Sequence, residues 1–158
     1  LLFSGSVREN LLYGDENATE EDLRKALDIS QSSEFVYSLP EGIESMISQN
    51  GTNLSGGQKQ RLCIARALTR KADVYIFDDT FSALDFRTDA ALRKAIKENI
   101  TATVIIVAQR VGTIMDADRI IVLDEGRIVG MGKHSELMES CDVYKEIYSS
   151  QITEEDEI

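Results

Sequence analysis

The first third of the chain carries the apolar spacing of short amphipathic helices. Thr19 and Asp22 precede Leu23 and match a helix capping box. A second short helix is predicted over 33–38, and it ends before Pro40 because the residue ahead of a proline disfavours helical backbone angles. Most of this region is therefore predicted to be helical, with a turn at the proline.

A longer helix is predicted at the centre of the chain, with Ser55 at its N-terminus. Residues 72–73 are expected to end it. Apolar residues recur at a helical spacing and are expected to form its apolar side, which comprises Leu62, Ile64, Ala65 and Leu68.

Three continuous apolar runs predict buried strands, at 74–77, 103–108 and 120–123. A helix from about 87 to 99 lies between the first two runs. The residues of this helix that are expected to face inward are Ala91, Leu92, Ala95 and Ile96. Strands that are apolar throughout and alternate with helices indicate a parallel sheet covered on both faces. The predicted fold class is α/β with a mostly parallel sheet.

The end of the chain is predicted to form a hairpin and two helices. Residues 124–126, Asp-Glu-Gly, favour a tight turn into a strand over 127–131. Helices follow at 135–138 and 143–148. Residues 151–158 are rich in acidic side chains and are expected to form a solvated tail.

Composition narrows the class of protein. The 158 residues fit one domain, with 42% apolar and 28% charged residues. A net charge of -11 without a basic stripe argues against binding to nucleic acid. Cys63 and Cys141 have no Cys-x-x-Cys spacing, so a structural zinc site is not expected and a reduced, cytosolic setting fits. The chain starts inside an apolar run without Met, and we expect it to begin within a domain.

Polar side chains follow two of the predicted strands. Asp78 and Asp79 follow the first, and Gln109 follows the second. Ligands of open α/β sheets bind at the carboxyl ends of the strands, so these are candidate site residues. A carboxylate held at a strand tip, as Asp78 is, can orient a hydrated Mg²⁺ on nucleotide phosphates. Four apolar residues and an Asp are a weak signal alone, because many buried strands end in Asp.

The start of the central helix is a candidate phosphate site. Ser55 is a good N-cap, and Gly56 and Gly57 allow a ligand to approach the backbone closely. The free N–H groups and the dipole of a helix N-terminus both favour a phosphate. A plain serine-capped helix would explain the same three residues in isolation.

The surrounding residues resemble the motifs of the ATP-binding-cassette (ABC) ATPases. The run 53–61, NLSGGQKQR, resembles their signature motif, and Asp78 stands at the Walker B position. Gln109 stands where the family has its switch histidine, and 118–129 resembles the closing strands. The signature residues are Leu54, Ser55, Gly56, Gly57 and Gln58, and the residues that resemble the D-loop are Ser82, Ala83, Leu84 and Asp85. The resemblance runs from Leu1 to about Tyr148.

This resemblance implies a partial P-loop NTPase-like ABC ATPase fold that uses ATP and Mg²⁺. Residues 1–71 would be the helical signature subdomain, 72–150 the C-terminal α/β part of the core, and 151–158 the tail. The segment 2–11 resembles exporters, in which this subdomain receives the coupling helices of a transmembrane domain. The implied location is the cytoplasmic face of the plasma membrane, and the implied partner is a second ABC ATPase domain, whose phosphate loop faces the signature.

Three features depart from the family pattern. The sequence contains no Gly-x-x-x-x-Gly-Lys-Ser/Thr phosphate loop. In the nearest candidate, which ends in Gly132-Lys133-His134, Arg127 stands where the first glycine is required and His134 replaces the Ser/Thr. We therefore expect this chain alone to bind nucleotide poorly and to be inactive. Asp79 stands where the family usually has Glu. Asp is one methylene shorter, so its carboxylate is set back by on the order of 1 Å, and a misplacement of that size can cost roughly 100-fold in rate. Gln109 can hydrogen-bond a γ-phosphate but cannot carry a positive charge.

Both substitutions together resemble the degenerate half of a heterodimeric multidrug exporter. The intact signature would then complete a competent site on a partner, while Asp78, Asp79 and Gln109 would belong to a slow site. A homodimer with an ordinary site slowed by Asp79 is the alternative.

Three functions remain open from the sequence. The first is an ATPase subunit of an exporter, and the second is a nucleotide-gated dimerisation module with little catalysis. The third is a soluble ABC protein acting on translation or DNA, against which the segment 2–11 and the acidic charge both count. His134, the sole histidine, is expected to be a capping or surface residue.

Overall fold

The computed structural model describes residues 1–155, and the chain divides into two compact units. The first unit is Leu1–Val107, and the second begins at Ala108. The predicted division at residue 71 remains a prediction. The elements of the first unit are, in order, β1 (Gly5–Ser6), α1 (Val7–Leu12), α2 (Glu20–Ile29), α3 (Ser33–Ser38), β2 (Met46–Ile47), α4 (Gly56–Thr69), β3 (Val74–Asp78), α5 (Phe86–Asn99) and β4 (Thr103–Val107).

Side chains at the helix starts determine where several of these helices begin. The Thr19 hydroxyl accepts a hydrogen bond from the Asp22 N–H, and the Asp22 carboxylate accepts one from the Thr19 N–H, which confirms the predicted capping box. Ser6 caps α1 in the same way. The predicted helix over 33–38 is confirmed as α3, which ends two residues before Pro40.

Helix α4 is the centre of the first unit because it is buried on two sides. Leu62 and Ala65 pack with Leu11 and Leu27 of the helices before it. Ile64 and Leu68 instead belong to a second core cluster, which includes Tyr75, Phe77, Leu92 and Ile96. The predicted apolar side of α4 is confirmed, and it explains why one helix supports both the helical layer and the sheet.

Strands β3 and β4 pair in parallel, with Val74 opposite Thr103 and Asp78 opposite Val107. Tyr75 and Phe77 face the α4 and α5 side and are buried. The alternate residues are exposed, Ile76 by 68%. Within the first unit, helices pack on one face of this strand pair only, so the expected cover on both faces is not found in this unit.

The inward face of α5 is narrower than predicted. Leu92 and Ile96 are buried and Ala95 is partly buried, but Ala91 is exposed. The buried stripe continues through Asp89, one turn before Leu92. Ala91 lies one turn before Ala95, on the same edge of this stripe, and that edge becomes more exposed towards the start of the helix.

The elements of the second unit are α6 (Val111–Ile114), β5 (Ile120–Asp124), β6 (Arg127–Gly132), α7 (His134–Ser140) and α8 (Asp142–Glu155). Strands β5 and β6 form the predicted antiparallel hairpin. Its two turn residues, Glu125 and Gly126, have φ values of 46° and 76°, as a type I′ turn requires. A register irregularity between Val122 and Leu123 was not predicted.

The two closing helices are longer than predicted. A Cβ on Gly130 would lie 2.9 Å from the Cys141 sulfur, so a glycine there lets the end of α7 pack closely on β6. Helix α8 includes the first residues of the predicted acidic tail, and 156–158 lie outside the described residues.

Among residues 1–155, no helix has the length and apolar character needed to span a membrane.

Candidate functional site

Ser55 begins the signature helix α4 through a reciprocal cap. Its hydroxyl oxygen accepts a hydrogen bond from the Gln58 N–H at 3.2 Å, and the Gln58 side-chain oxygen accepts one from the Ser55 N–H at 2.9 Å. A serine hydroxyl has one proton to donate besides its acceptor positions. The cap uses Ser55 only as an acceptor, so the proton can still be donated to a ligand.

The two signature glycines have different surroundings. Neither has a positive φ, so backbone conformation alone does not require glycine at either position. A Cβ on Gly57 would lie 3.4 Å from the Ala83 carbonyl oxygen, whereas a Cβ on Gly56 would meet nothing closer than 3.9 Å. The Gly57 position therefore adjoins the D-loop at ordinary contact distance, while the Gly56 side leaves room at the positive end of a 14-residue helix.

The D-loop, residues 82–85, is held to α4 by a hydrogen bond. The N–H of Ala83 donates to the side-chain oxygen of Gln60 at 3.2 Å. Leu84 is buried, and Phe81 just before the loop packs edge-on against Phe77 with ring centres 5.8 Å apart. These anchors place Ser82 and Ala83 at the surface beside the signature.

Asp85 ends the D-loop and caps α5. Its carboxylate accepts a hydrogen bond from the Thr88 N–H at 2.9 Å and another from the Thr88 hydroxyl at 2.7 Å. These two bonds lower the pKa of Asp85 below its ordinary value, and the bond from the Thr88 N–H has the larger effect. The charged form that caps the helix is thereby favoured.

Asp78 and Asp79 follow each other at the carboxyl end of β3, and both are exposed. Asp79 has a φ of 48°, in the left-handed region that Asp tolerates better than most residues. Its N–H donates to the Val107 carbonyl at 3.0 Å, and its carbonyl accepts from the Ser82 hydroxyl at 3.0 Å. An exposed carboxylate such as Asp78 fits Mg²⁺, which binds proteins through one or two carboxylates and keeps several waters.

Gln109 lies in the second unit, and its side chain is at the surface. Its backbone carbonyl accepts a hydrogen bond from the side-chain nitrogen of Gln151 at 2.7 Å. Sequence reasoning missed Gln151, which falls in the predicted tail, and assigned no role to Gln60. An amide side chain in the sequence gives no sign of which distant backbone group it binds.

The segment around His134 is structural. Residues 127–132 form strand β6 and Lys133 caps α7, which confirms that this glycine-rich run is a closing strand rather than a phosphate loop. The His134 ring nitrogen Nδ1 lies 2.9 Å from the Tyr144 hydroxyl. The ring is partly buried rather than a simple surface group, and burial raises the pKa of Tyr144.

Comparisons with known proteins agree with these motifs. The model of the family described as ABC transporter matches residues 2–82. The uncharacterized ABC transporter ATP-binding protein YfiB of Bacillus subtilis is 44% identical over 155 residues, which are 98% of this chain and 27% of that protein. The ATP-dependent lipid A-core flippase of Chromobacterium violaceum is 41% identical over 155 residues, 97% of this chain and 26% of that protein.

A solved structure shares the fold. The structure of a bacterial Atm1-family ABC exporter with ATP bound superposes with a TM-score of 0.91 at 34% identity, covering 96% of this chain and 27% of that one. The fold is therefore the P-loop ATPase fold of an ABC exporter nucleotide-binding domain, as the sequence predicts. The chain belongs to the ABC transporter family, and it spans about a quarter of the length of the relatives it matches.

Proposed function

We propose that this chain is part of the nucleotide-binding domain of an ABC exporter and couples the binding and hydrolysis of ATP to transport. The main support for this proposal is the arrangement of residues at the start of α4. The Ser55 hydroxyl keeps a free proton there, open space adjoins Gly56, and Gln60 fixes the D-loop alongside. This arrangement offers a hydroxyl donor, free backbone N–H groups and a helix dipole to one phosphate.

The signature would act on a nucleotide bound to a partner. In this account the phosphate loop opposite Ser55 belongs to a second ABC ATPase domain, and a transmembrane domain links the pair to transport. The assembly would lie at the cytoplasmic face of the plasma membrane. With a net charge of -11, no interaction with nucleic acid is proposed.

The site that contains this chain's own carboxylates would be the slow one. Asp78 would orient Mg²⁺ through water, and Asp79 would polarise the attacking water from a position set back by on the order of 1 Å. Hydrogen bonds hold the Asp79 backbone on both sides, to Val107 and Ser82, so the backbone is not free to advance and compensate for the shorter side chain.

Gln109 would contact the terminal phosphate of the same nucleotide. Its amide can donate a hydrogen bond but cannot take up a proton as a histidine can. These two residues together support the asymmetric arrangement, in which the pair is a heterodimer and the partner carries the site that turns over.

Replacement of Ser55 tests this function. In the intact transporter, Ser55→Ala removes both the cap and the hydroxyl donor, and we expect steady-state ATP hydrolysis to fall by at least tenfold, which is about 1.4 kcal/mol or more of the barrier. Thr19→Ala is the matched control, because it removes the equivalent cap of α2 at a similar cost of about 1 kcal/mol and should leave hydrolysis unchanged.

A nucleotide-gated dimerisation module makes a different prediction for the same variants. Its ATP-dependent association would weaken in Ser55→Ala, while the basal hydrolysis rate of the complex would not change. Association measured by light scattering beside phosphate release therefore separates the two functions. Loss of association at an unchanged hydrolysis rate would contradict the ATPase proposal.

A further inference from the structure

The side chain of Gln151 bridges two backbone groups of the segment 109–111. Its Nε2 donates to the carbonyl oxygen of Gln109 at 2.7 Å, and its Oε1 accepts from the N–H of Val111 at 2.7 Å. The two partners flank Arg110, so one amide side chain spans the whole segment. The orientation of the amide is determined by the partners, since a carbonyl requires a donor and an N–H requires an acceptor.

The bridge connects helix α8 to the segment that leads into α6. Gln151 lies on α8, which is anchored through Tyr144, a residue only 2% exposed in the core of the second unit. Val111 is likewise buried and begins α6. Gln109 itself projects from the surface, and its backbone carbonyl accepts a hydrogen bond from the side chain of Gln151.

We propose that Gln151 is a positioning residue for Gln109. It holds the Gln109 backbone at a fixed distance from α8, so that the Gln109 side chain is presented to the nucleotide in one direction. The proposal rests on the proposed function, in which Gln109 contacts the terminal phosphate. Among side chains of this length only Gln supplies a strong donor and a strong acceptor together, because ionised Glu lacks the donor and Met offers only a weakly accepting sulfur.

Loss of the bridge should affect catalysis more than nucleotide affinity. A displacement of about 1 Å in a group that contacts the reacting phosphate can cost roughly 100-fold in rate, so a loosened Gln109 should lower the rate constant by about tenfold. Nucleotide affinity depends on many other contacts and should change by less than about twofold.

Hydrogen exchange tests the bridge itself. In the intact transporter, Gln151→Met should accelerate amide exchange in 109–114, and Gln151→Glu should accelerate it less because a carboxylate still accepts from the Val111 N–H. Both residues are good helix formers, so α8 should be retained. Glu146→Gln, at an exposed position on the same helix, is the control and should leave exchange unchanged. Equal exchange in Gln151→Met and the parent protein would overturn the proposal.

A double-mutant cycle tests the role in positioning, with single-turnover hydrolysis at the site that contains Gln109 as the readout. Gln151→Met should slow hydrolysis by about tenfold in the parent protein and should add no loss in a Gln109→Ala background. An equal further loss in that background would show a general structural effect and overturn the proposal. If Gln109→Ala alone changes nothing, the proposed function of Gln109 fails and the positioning role with it. If only the Gln151 variants are without effect, the positioning proposal fails alone.

Discussion

The side-chain oxygen of Gln60 accepts a hydrogen bond from the backbone N–H of Ala83 at 3.2 Å. Gln60 lies on the signature helix α4, and Ala83 lies in the D-loop. The bond joins two motifs that are separated by 23 positions in the sequence. A Cβ on Gly57 would lie only 3.4 Å from the Ala83 carbonyl, so the two segments also pack closely. The start of the signature helix and the D-loop therefore form one structural unit.

Removal of the Gln60 acceptor should loosen the D-loop. Gln60→Leu has a similar volume but no acceptor, and we expect exchange of the Ala83 amide to accelerate by roughly fivefold, corresponding to about 1 kcal/mol for one hydrogen bond. Gln60→Glu keeps an acceptor oxygen and is the matched control. Hydrogen exchange followed by mass spectrometry over 80–86 provides the measurement. Equal exchange in the two variants would contradict the role assigned to this bond.

A side chain at Gly14 should destabilise the first unit. A Cβ there would lie 2.2 Å from the backbone carbonyl oxygen of Arg66 on α4, well inside contact distance. We expect Gly14→Ala to cost about 1–3 kcal/mol, in the range of overpacked cores, as measured by urea denaturation. Gly112→Ala is the control, because a Cβ on Gly112 meets nothing within 4 Å. A Gly14→Ala variant as stable as Gly112→Ala would contradict the packing described.

The capping carboxylate of Asp22 should make stability depend on acidic pH. Hydrogen bonds from Lys71, then from the N–H and the hydroxyl of Thr19, lower the pKa of Asp22 from 3.8 to about 2. A carboxyl whose pKa falls on folding contributes stability above its unfolded pKa and loses that contribution as pH falls towards its folded pKa. The stabilising contribution should therefore be present at pH 7 and disappear between about pH 4 and pH 2.

Asp22→Asn isolates this contribution, because the amide cannot ionise. The difference in urea midpoint between the parent protein and this variant should be constant from pH 7 to about pH 5 and should narrow below pH 4. Lys71→Met, which removes the ammonium 3.0 Å from the carboxylate, should reduce the same difference. A difference that does not change with pH would show that Asp22 is not charged in the cap.

Local signals predicted much of the fold. The box at Thr19 and Asp22, the cap at Ser55 and the turn before Arg127 involve residues within a few positions of one another, and each is confirmed. Such features can be predicted because the interacting groups are close in sequence and only a few residue types satisfy the geometry.

Long-range relationships could not be predicted in the same way. Strand β1 pairs with β2 through only two residues each, and Gly5 lies opposite Ile47. A two-residue strand has no apolar period to identify it. The contacts of Gln60 and Gln151 are similar cases, because an amide side chain can bind any free backbone group within reach. The exposure of Ile76 also could not be predicted, because the sequence of an apolar strand does not show which of its two faces packs against other elements.

The candidate site was predicted as a set of residues and not as a geometry. The signature residues, the D-loop and Asp78 follow from motifs in order along the chain. The left-handed backbone of Asp79 and its hydrogen bonds to Val107 and Ser82 appear only in the structure. Those bonds support the proposed slow site, because they prevent a shift of the backbone that would offset the shorter side chain.

The most direct test of the proposed asymmetry is site-resolved ATP turnover in the intact transporter that carries Asp79→Glu and Gln109→His together. Single-turnover hydrolysis would be followed separately at the site that contains these residues and at the site completed by Ser55. We predict that hydrolysis at the first site accelerates by roughly 100-fold, the rate cost of a displacement of about 1 Å, while hydrolysis at the second site changes little. Unchanged turnover at both sites would contradict the division into a slow site and a competent one.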